Sequence, residues 1–125
     1  MIIEPVYNYD EESDTLSIVF APAAKATGIE LTDHILLRIN KTAEQIASIT
    51  LLDYSLLVQE TAFGPRTFPL TGLAELSEET RDLALDILRE SSVRNILRIA
   101  AYTPKDGQII PVVFVQPVMA AASTA

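Results

Sequence analysis

At 125 residues, with 49% hydrophobic side chains and a mean hydropathy of +0.26, the chain has the length of one domain and enough apolar material for a core of its own. No apolar run approaches the roughly 18 residues that a membrane-spanning helix requires, and the absence of cysteine excludes disulfides and thiolate metal sites. The net charge of −8 is concentrated at the front, where residues 1–60 hold ten acids against three bases while residues 61–125 hold seven against six. Such a balance repels nucleic-acid phosphates and anionic membranes, so neither is expected as a partner. A charged partner, if there is one, is basic; the alternative is that acidity serves solubility alone. Met1-Ile2-Ile3-Glu4-Pro5 has neither the basic region nor the apolar stretch of a signal peptide, which makes the cytoplasm the expected location.

Residues 2–9 alternate loosely, and Pro5, which has no N–H to give, places the first strand after it or at a sheet edge. The acidic run Asp10–Asp14 turns the chain. Thr15–Phe20 then returns antiparallel, with Leu16, Ile18 and Phe20 on one face. Pro22 stops that strand, and the Ala-rich segment 21–26 leads to Thr27–Thr32, with Ile29 and Leu31 on one side. After a turn at Asp33-His34 comes Ile35–Asn40, whose Ile35, Leu37 and Ile39 face inward. Gln45–Tyr54 is the fifth strand; its apolar set changes phase between Ile46 and Ile49, which predicts a bulge or burial on both faces.

Gly64-Pro65, Pro69 and Gly72 interrupt any regular element across 55–72. A helix follows over 77–91, with Ser77 as N-cap, Glu78, Glu79 and Asp82 favoured by the helix dipole, and an apolar stripe of Leu83, Ala84, Ile87 and Leu88. It is too short to stand alone and must cover a sheet face. Ile96–Tyr102 and Gln108–Val115 flank the turn Pro104-Lys105-Asp106-Gly107 as a second hairpin. Its far arm, with Ile109, Ile110, Val112, Val113, Phe114 and Val115, demands burial on both faces, by the helix and first sheet or by a second copy of the chain. The expected fold is therefore α+β and mostly β. It has an antiparallel meander of about five short strands within 2–54, one amphipathic helix (77–91) and a hairpin (96–115), forming a single domain over 1–118 with a flexible tail at 119–125.

The run Tyr9-Asp10-x-x-x-Asp14-x-Leu16-x-Ile18 resembles the opening signature of the bacterial domain-of-unknown-function family 2283. Glu30 in the third strand, the hydrophobic strand Ile35–Ile39 and a fifth strand ending near Leu52-Asp53 are similar as well, so the resemblance covers residues 5–56. The chain departs from the pattern in having no glycine within Lys41–Gln45 and in carrying Ala47-Ser48-Ile49-Thr50 where a Gly-Ile-Glu type strand is usual; residues 70–116 extend beyond the module. The resemblance implies a small β-meander with no established activity. Some members look like the antitoxin half of toxin–antitoxin gene pairs, which implies an acidic regulator binding a basic protein. The candidate partner-binding residues are Asp10, Glu11, Glu12 and Asp14.

The chemistry of these and other side chains is otherwise sparse. Asp10, Glu12 and Asp14 have the spacing that opens a calcium loop, yet Thr15 stands where the loop needs glycine and Ala21 where it needs glutamate. Asp10 and Asp14 are instead expected to fix the turn by accepting backbone N–H groups. His34, the only histidine, rules out a multi-histidine metal site and has Asp33 or Asp14 as possible partners for base chemistry. No serine sits in a Gly-x-Ser-x-Gly elbow, the four glycines are too scattered to cradle a phosphate, and Arg89, Arg94 and Arg98 are expected to pair with Asp86 and Glu90. No catalytic residue, metal ligand or cofactor is assigned. The function expected is that of a non-enzymatic, self-associating β-rich module, most simply a homodimer, with the acidic antitoxin-like regulator as the alternative.

Overall fold

The computed structural model describes residues 5–21, 26–62, 64–102 and 110–115. Alternating apolar residues build β1 (Val6–Asp10), β2 (Thr15–Val19), β3 (Thr27–Thr32), β4 (Ile35–Asn40) and β5 (Gln45–Leu51). They form one antiparallel sheet in the order β1-β2-β5-β4-β3. The fold is α+β and mostly β, as the sequence predicts. Its meander β3-β4-β5 is closed by laying the β1–β2 hairpin against β5, so the fifth strand is the central one. Leu16, Ile18, Ile29, Leu31, Ile35, Leu37, Ile39, Ile49 and Leu51 form a fully buried inner face.

The phase change in β5 is a bulge: Arg38 pairs with Ser48 but Ile39 with Ile46, leaving Ala47 without a partner in β4. The Ala47 carbonyl accepts the N–H groups of Phe20 (2.8 Å) and Ala21 (3.2 Å) instead. The turns 11–14 and 41–44 are built alike. In each the residue before the loop accepts a loop N–H: Asp10 Oδ1 from Glu12 at 3.2 Å, and Asn40 Oδ1 from Ala43 at 3.1 Å. The last loop residue is left-handed in both, Asp14 at φ 52° and Glu44 at φ 55°. The missing glycine of the second turn is thus replaced by a strained glutamate.

Across 55–72, where the sequence shows only breaks, the structure has short elements: α1 (Tyr54–Leu57), β6 (Glu60–Thr61), β7 (Gly64–Pro65), β8 (Phe68–Pro69) and the 3₁₀ turn Thr71–Glu75. Pro65 and Pro69 close β7 and β8 after two residues each. The long helix is α2 (Glu78–Leu88), capped as predicted by Ser77, whose Oγ accepts the Thr80 N–H at 3.2 Å. It stops short of Ser91 because Glu90 is extended (ψ 143°), and a separate turn, α3 (Ser91–Arg94), follows. Its buried face is Thr80, Ala84, Ile87 and Leu88, with Leu83 only half-buried. Arg89 meets Asp86 at 3.7 Å, while Arg94 and Arg98 make no ion pair among the described residues.

β9 (Leu97–Tyr102) and β10 (Ile110–Val115) pair antiparallel, and β8 joins the other side of β10. Val112 and its neighbour Val113 are both buried, as is Val115, and Val113 and Val115 share one core with the inner face of the main sheet, α2, Leu70, Leu73 and Ile96. The chain itself therefore covers this part of the hairpin, and no second copy is required there. Residues 2–4 of the expected first strand, the connection at 22–25, the turn Pro104–Gly107, Ile109 and the tail 119–125 lie outside the described residues. Among the described residues no helix is long and apolar enough to cross a membrane.

The two edges of the main sheet differ. β3 is bulged at Leu31, since Glu30 pairs with Leu36 and Thr32 with Ile35, and the 3₁₀ turn lies against it. A Cβ on Gly72 would fall 1.6 Å from the Glu30 carbonyl oxygen, whereas one on Gly28 would meet only Leu36 Cδ1 at 3.8 Å. β1 pairs with β2 over five residues without a break. Gly72→Ala is expected to lower stability by about 1–3 kcal/mol, because backbone must yield to backbone, while Gly28→Ala stays within about 1 kcal/mol and tends to stabilise. Urea midpoints of the two variants measure the difference.

Candidate functional site

The acidic turn follows directly from β1 and precedes β2, and its four carboxylates have three different fates. Asp10 spends its oxygens on the turn: besides the Glu12 N–H, its Oδ2 accepts the Ser13 hydroxyl at 2.8 Å. Glu11 and Glu12 are exposed, and their carboxylates accept no hydrogen bond from the described residues. Asp14 is half-buried and reaches across the fold. Its Oδ1 accepts the Tyr9 hydroxyl at 2.6 Å and the Ser55 hydroxyl at 2.9 Å, and the Ser55 N–H is shared between Oδ1 (3.2 Å) and Oδ2 (3.1 Å). The Asp14 carbonyl also accepts the Tyr54 N–H at 2.9 Å, and the Tyr9 and Tyr54 rings meet edge to face with centroids 5.9 Å apart.

This arrangement caps α1 from a distance. Asp53, at the N-cap position, is left-handed (φ 55°) and makes no cap bond with its own side chain. The free N–H of Ser55 is taken up by Asp14, which lies 41 residues earlier. The expectation that Asp10 bonds a backbone N–H of its own turn is met; Asp14 bonds the backbone of α1 instead. The sequence does not single out Tyr9, Tyr54 or Ser55 as candidate partner-binding residues. Tyr9 enters the sequence reading as the first residue of the signature, with no side-chain role attached, and nothing local marks Ser55 as a partner for an acid so far away.

The hydroxyl of Tyr9 holds the Asp14 carboxyl below its ordinary value of 3.8, against the opposing effect of burial, with both Ser55 donors adding to the lowering. The same bond, with burial, raises the Tyr9 phenol above 10.0. At neutral pH Asp14 is therefore an ionised acceptor and Ser55 a donor to it. Neither has the proton arrangement of an acid–base or nucleophilic pair.

His34 is brought to neither Asp33 nor Asp14. Its Nδ1 lies 3.1 Å from Asp53 Oδ2, its own N–H donates to Thr32 Oγ1 at 3.0 Å, and its carbonyl accepts the Leu52 N–H at 2.8 Å. Among the described residues no hydroxyl bonds to its ring, and no group of three or more His, Asp or Glu side chains is placed to hold a metal ion. Leu52–Ser55 is thus tied to His34 on one side and to Asp14 on the other. A separate cleft of about 480 Å³, between the 41–44 turn and α2, gathers Glu44, Glu79, Asp82 and Asp86 around Lys41, with Asp86 also paired to Arg89.

Asp14→Asn is expected to cost about 1 kcal/mol at neutral pH through the weakened cap. Because the folded-state value of Asp14 is lowered, its contribution is present above pH 3.8 and lost as pH falls below it. The gap between wild type and variant in a denaturant series must therefore narrow in acid. Tyr9→Phe does the reverse: the Tyr9 value is raised, so the gap narrows as pH rises through and beyond 10.0. Comparison of the chain with known family models, with curated proteins and with solved structures gave no match.

Proposed function

We propose that this chain is a non-enzymatic β-rich module that works through protein contact and assembles as a homodimer. The observation that carries the reading is where its exposed apolar surface lies. Of the five large hydrophobic side chains left exposed among the described residues, three, Val6 (65%), Tyr7 (41%) and Val19 (39%), stand on the β1–β2 hairpin at one end of the sheet, while Leu52 and Leu56 lie just before and within α1. An apolar group gathered at a sheet edge supports an interface there. The use of Asp10, Asp14 and Ser55 as turn and cap groups supports a non-enzymatic role. The absence of cysteine fits a cytoplasmic setting. Membership of residues 5–56 in domain-of-unknown-function family 2283 belongs to the same proposal. Its support is that Tyr9 and Asp14, two fixed points of the signature, are hydrogen-bonded to each other.

The alternative, an acidic regulator of a basic protein, draws on the cleft with Glu44, Glu79, Asp82 and Asp86 more than on the turn at 10–14, where two of the four acids are already engaged. Such a complex should weaken steeply between low and physiological salt. Sedimentation equilibrium at micromolar concentration separates the two readings. A species of twice the 13.7 kDa chain mass, insensitive to moderate salt, is the expected result; a monomer at every concentration removes the homodimer.

A further inference from the structure

Resting on the self-association reading, we infer that the second copy docks on the free edge of β1. Two chains lay their β1 strands antiparallel about a two-fold axis at Asn8, and the two five-stranded sheets become one. An edge strand turns alternate N–H and C=O groups outward, and folded chains usually shield such a row with a bulge, a cation or a covering segment. β3 has both a bulge and the Gly72 turn against its backbone. Among the described residues β1 has neither: its register with β2 is unbroken from Val6↔Val19 to Asp10↔Thr15, and it carries no cation.

What fits this edge is the same edge. Tyr7-Asn8-Tyr9 reads identically in both directions, so a two-fold axis at Asn8 sets Tyr7 opposite the second copy's Tyr9 and the two Asn8 side chains opposite each other. A two-fold interface needs one patch that complements itself, and cross-strand aromatic pairs are among the favourable ones. Val6 and Val19 add apolar surface on one face of the hairpin and Tyr7 on the other. Charge selects the antiparallel alignment. At 3.4 Å per residue the two Asp10 side chains lie about 14 Å apart along the joined strands, beyond the roughly 8 Å screening length of physiological salt. A parallel alignment would bring the two acidic turns side by side. Five residues of strand and three apolar side chains make an interface smaller than the usual stable one, so a dissociation constant in the micromolar range is expected.

The chain has no cysteine, so a single one can be placed at will. In Asn8→Cys the two sulfur-bearing residues face each other at the Cα separation a disulfide accepts. In Val6→Cys they are about 14 Å apart, well outside it. Under mild oxidation Asn8→Cys is expected to run as a cross-linked dimer and Val6→Cys as a monomer, and Val6→Glu, which the same axis sets opposite the second copy's Asp10, is expected to raise the dissociation constant tenfold or more with an unchanged circular dichroism spectrum. A wild-type dimer whose Asn8→Cys variant does not cross-link overturns the β1 interface and leaves self-association standing. A wild-type chain that sediments as a monomer overturns both.

Discussion

The main sheet depends on β5 being hydrogen-bonded on both sides. Ile49 stands opposite Ile18 in β2 and Leu37 in β4, and Leu51 opposite Leu16 and Ile35. One strand therefore sets the register of two neighbours, and a slip of a single residue would turn its whole apolar set away from the core. The offset between the two pairings is absorbed at Ala47, whose carbonyl serves the end of β2. Because β5 occupies the centre, the chain after β2 must cross to the far edge before returning by way of β3 and β4. The same strand runs on into Leu52–Ser55, the segment from which both turns of the sheet's end are held.

That segment divides the labour of the acids. Asp53 faces His34, so it cannot close the start of α1, and Asp14 does so from the opposite hairpin. A hydrogen bond to an ionised group is stronger than a neutral one, and a half-buried position keeps water from replacing it. Acidity in this chain is thus partly structural. Asp10 shapes a turn and Asp14 joins two elements distant in sequence, while Glu11 and Glu12 remain for solvent or a partner.

Most of the sheet was legible because period-two alternation is a local signal: Thr27–Thr32 and Ile35–Asn40 appear with the bounds the pattern implies. The phase change in β5 was legible for the same reason. The strand order was not, since it depends on whether β2 meets β3 or β5, and apolar faces of equal greasiness do not distinguish these. The burial of the neighbours Val112 and Val113 matches the two-sided burial expected of this strand, but what covers Val113 and Val115 is settled by distant residues such as Leu70 and Ile87. The helix was placed by its Ser77 cap; its early stop at Leu88 rests on the backbone of Glu90, which no propensity marks. In the candidate site, sequence found the acids and missed their partners. Tyr9 and Ser55 acquire meaning only when the β1–β2 turn is folded onto α1.

The unequal edges of the sheet bear on how large any assembly can grow. A strand added along β1 meets a straight, unbroken ladder, but the far side of the sheet ends at the kink in β3 and the backbone of Gly72. Within the main sheet, pairing that starts at β1 has no second straight ledge from which to continue. Addition along that sheet is self-terminating, so it does not extend in the way that stacked strands propagate into fibrils.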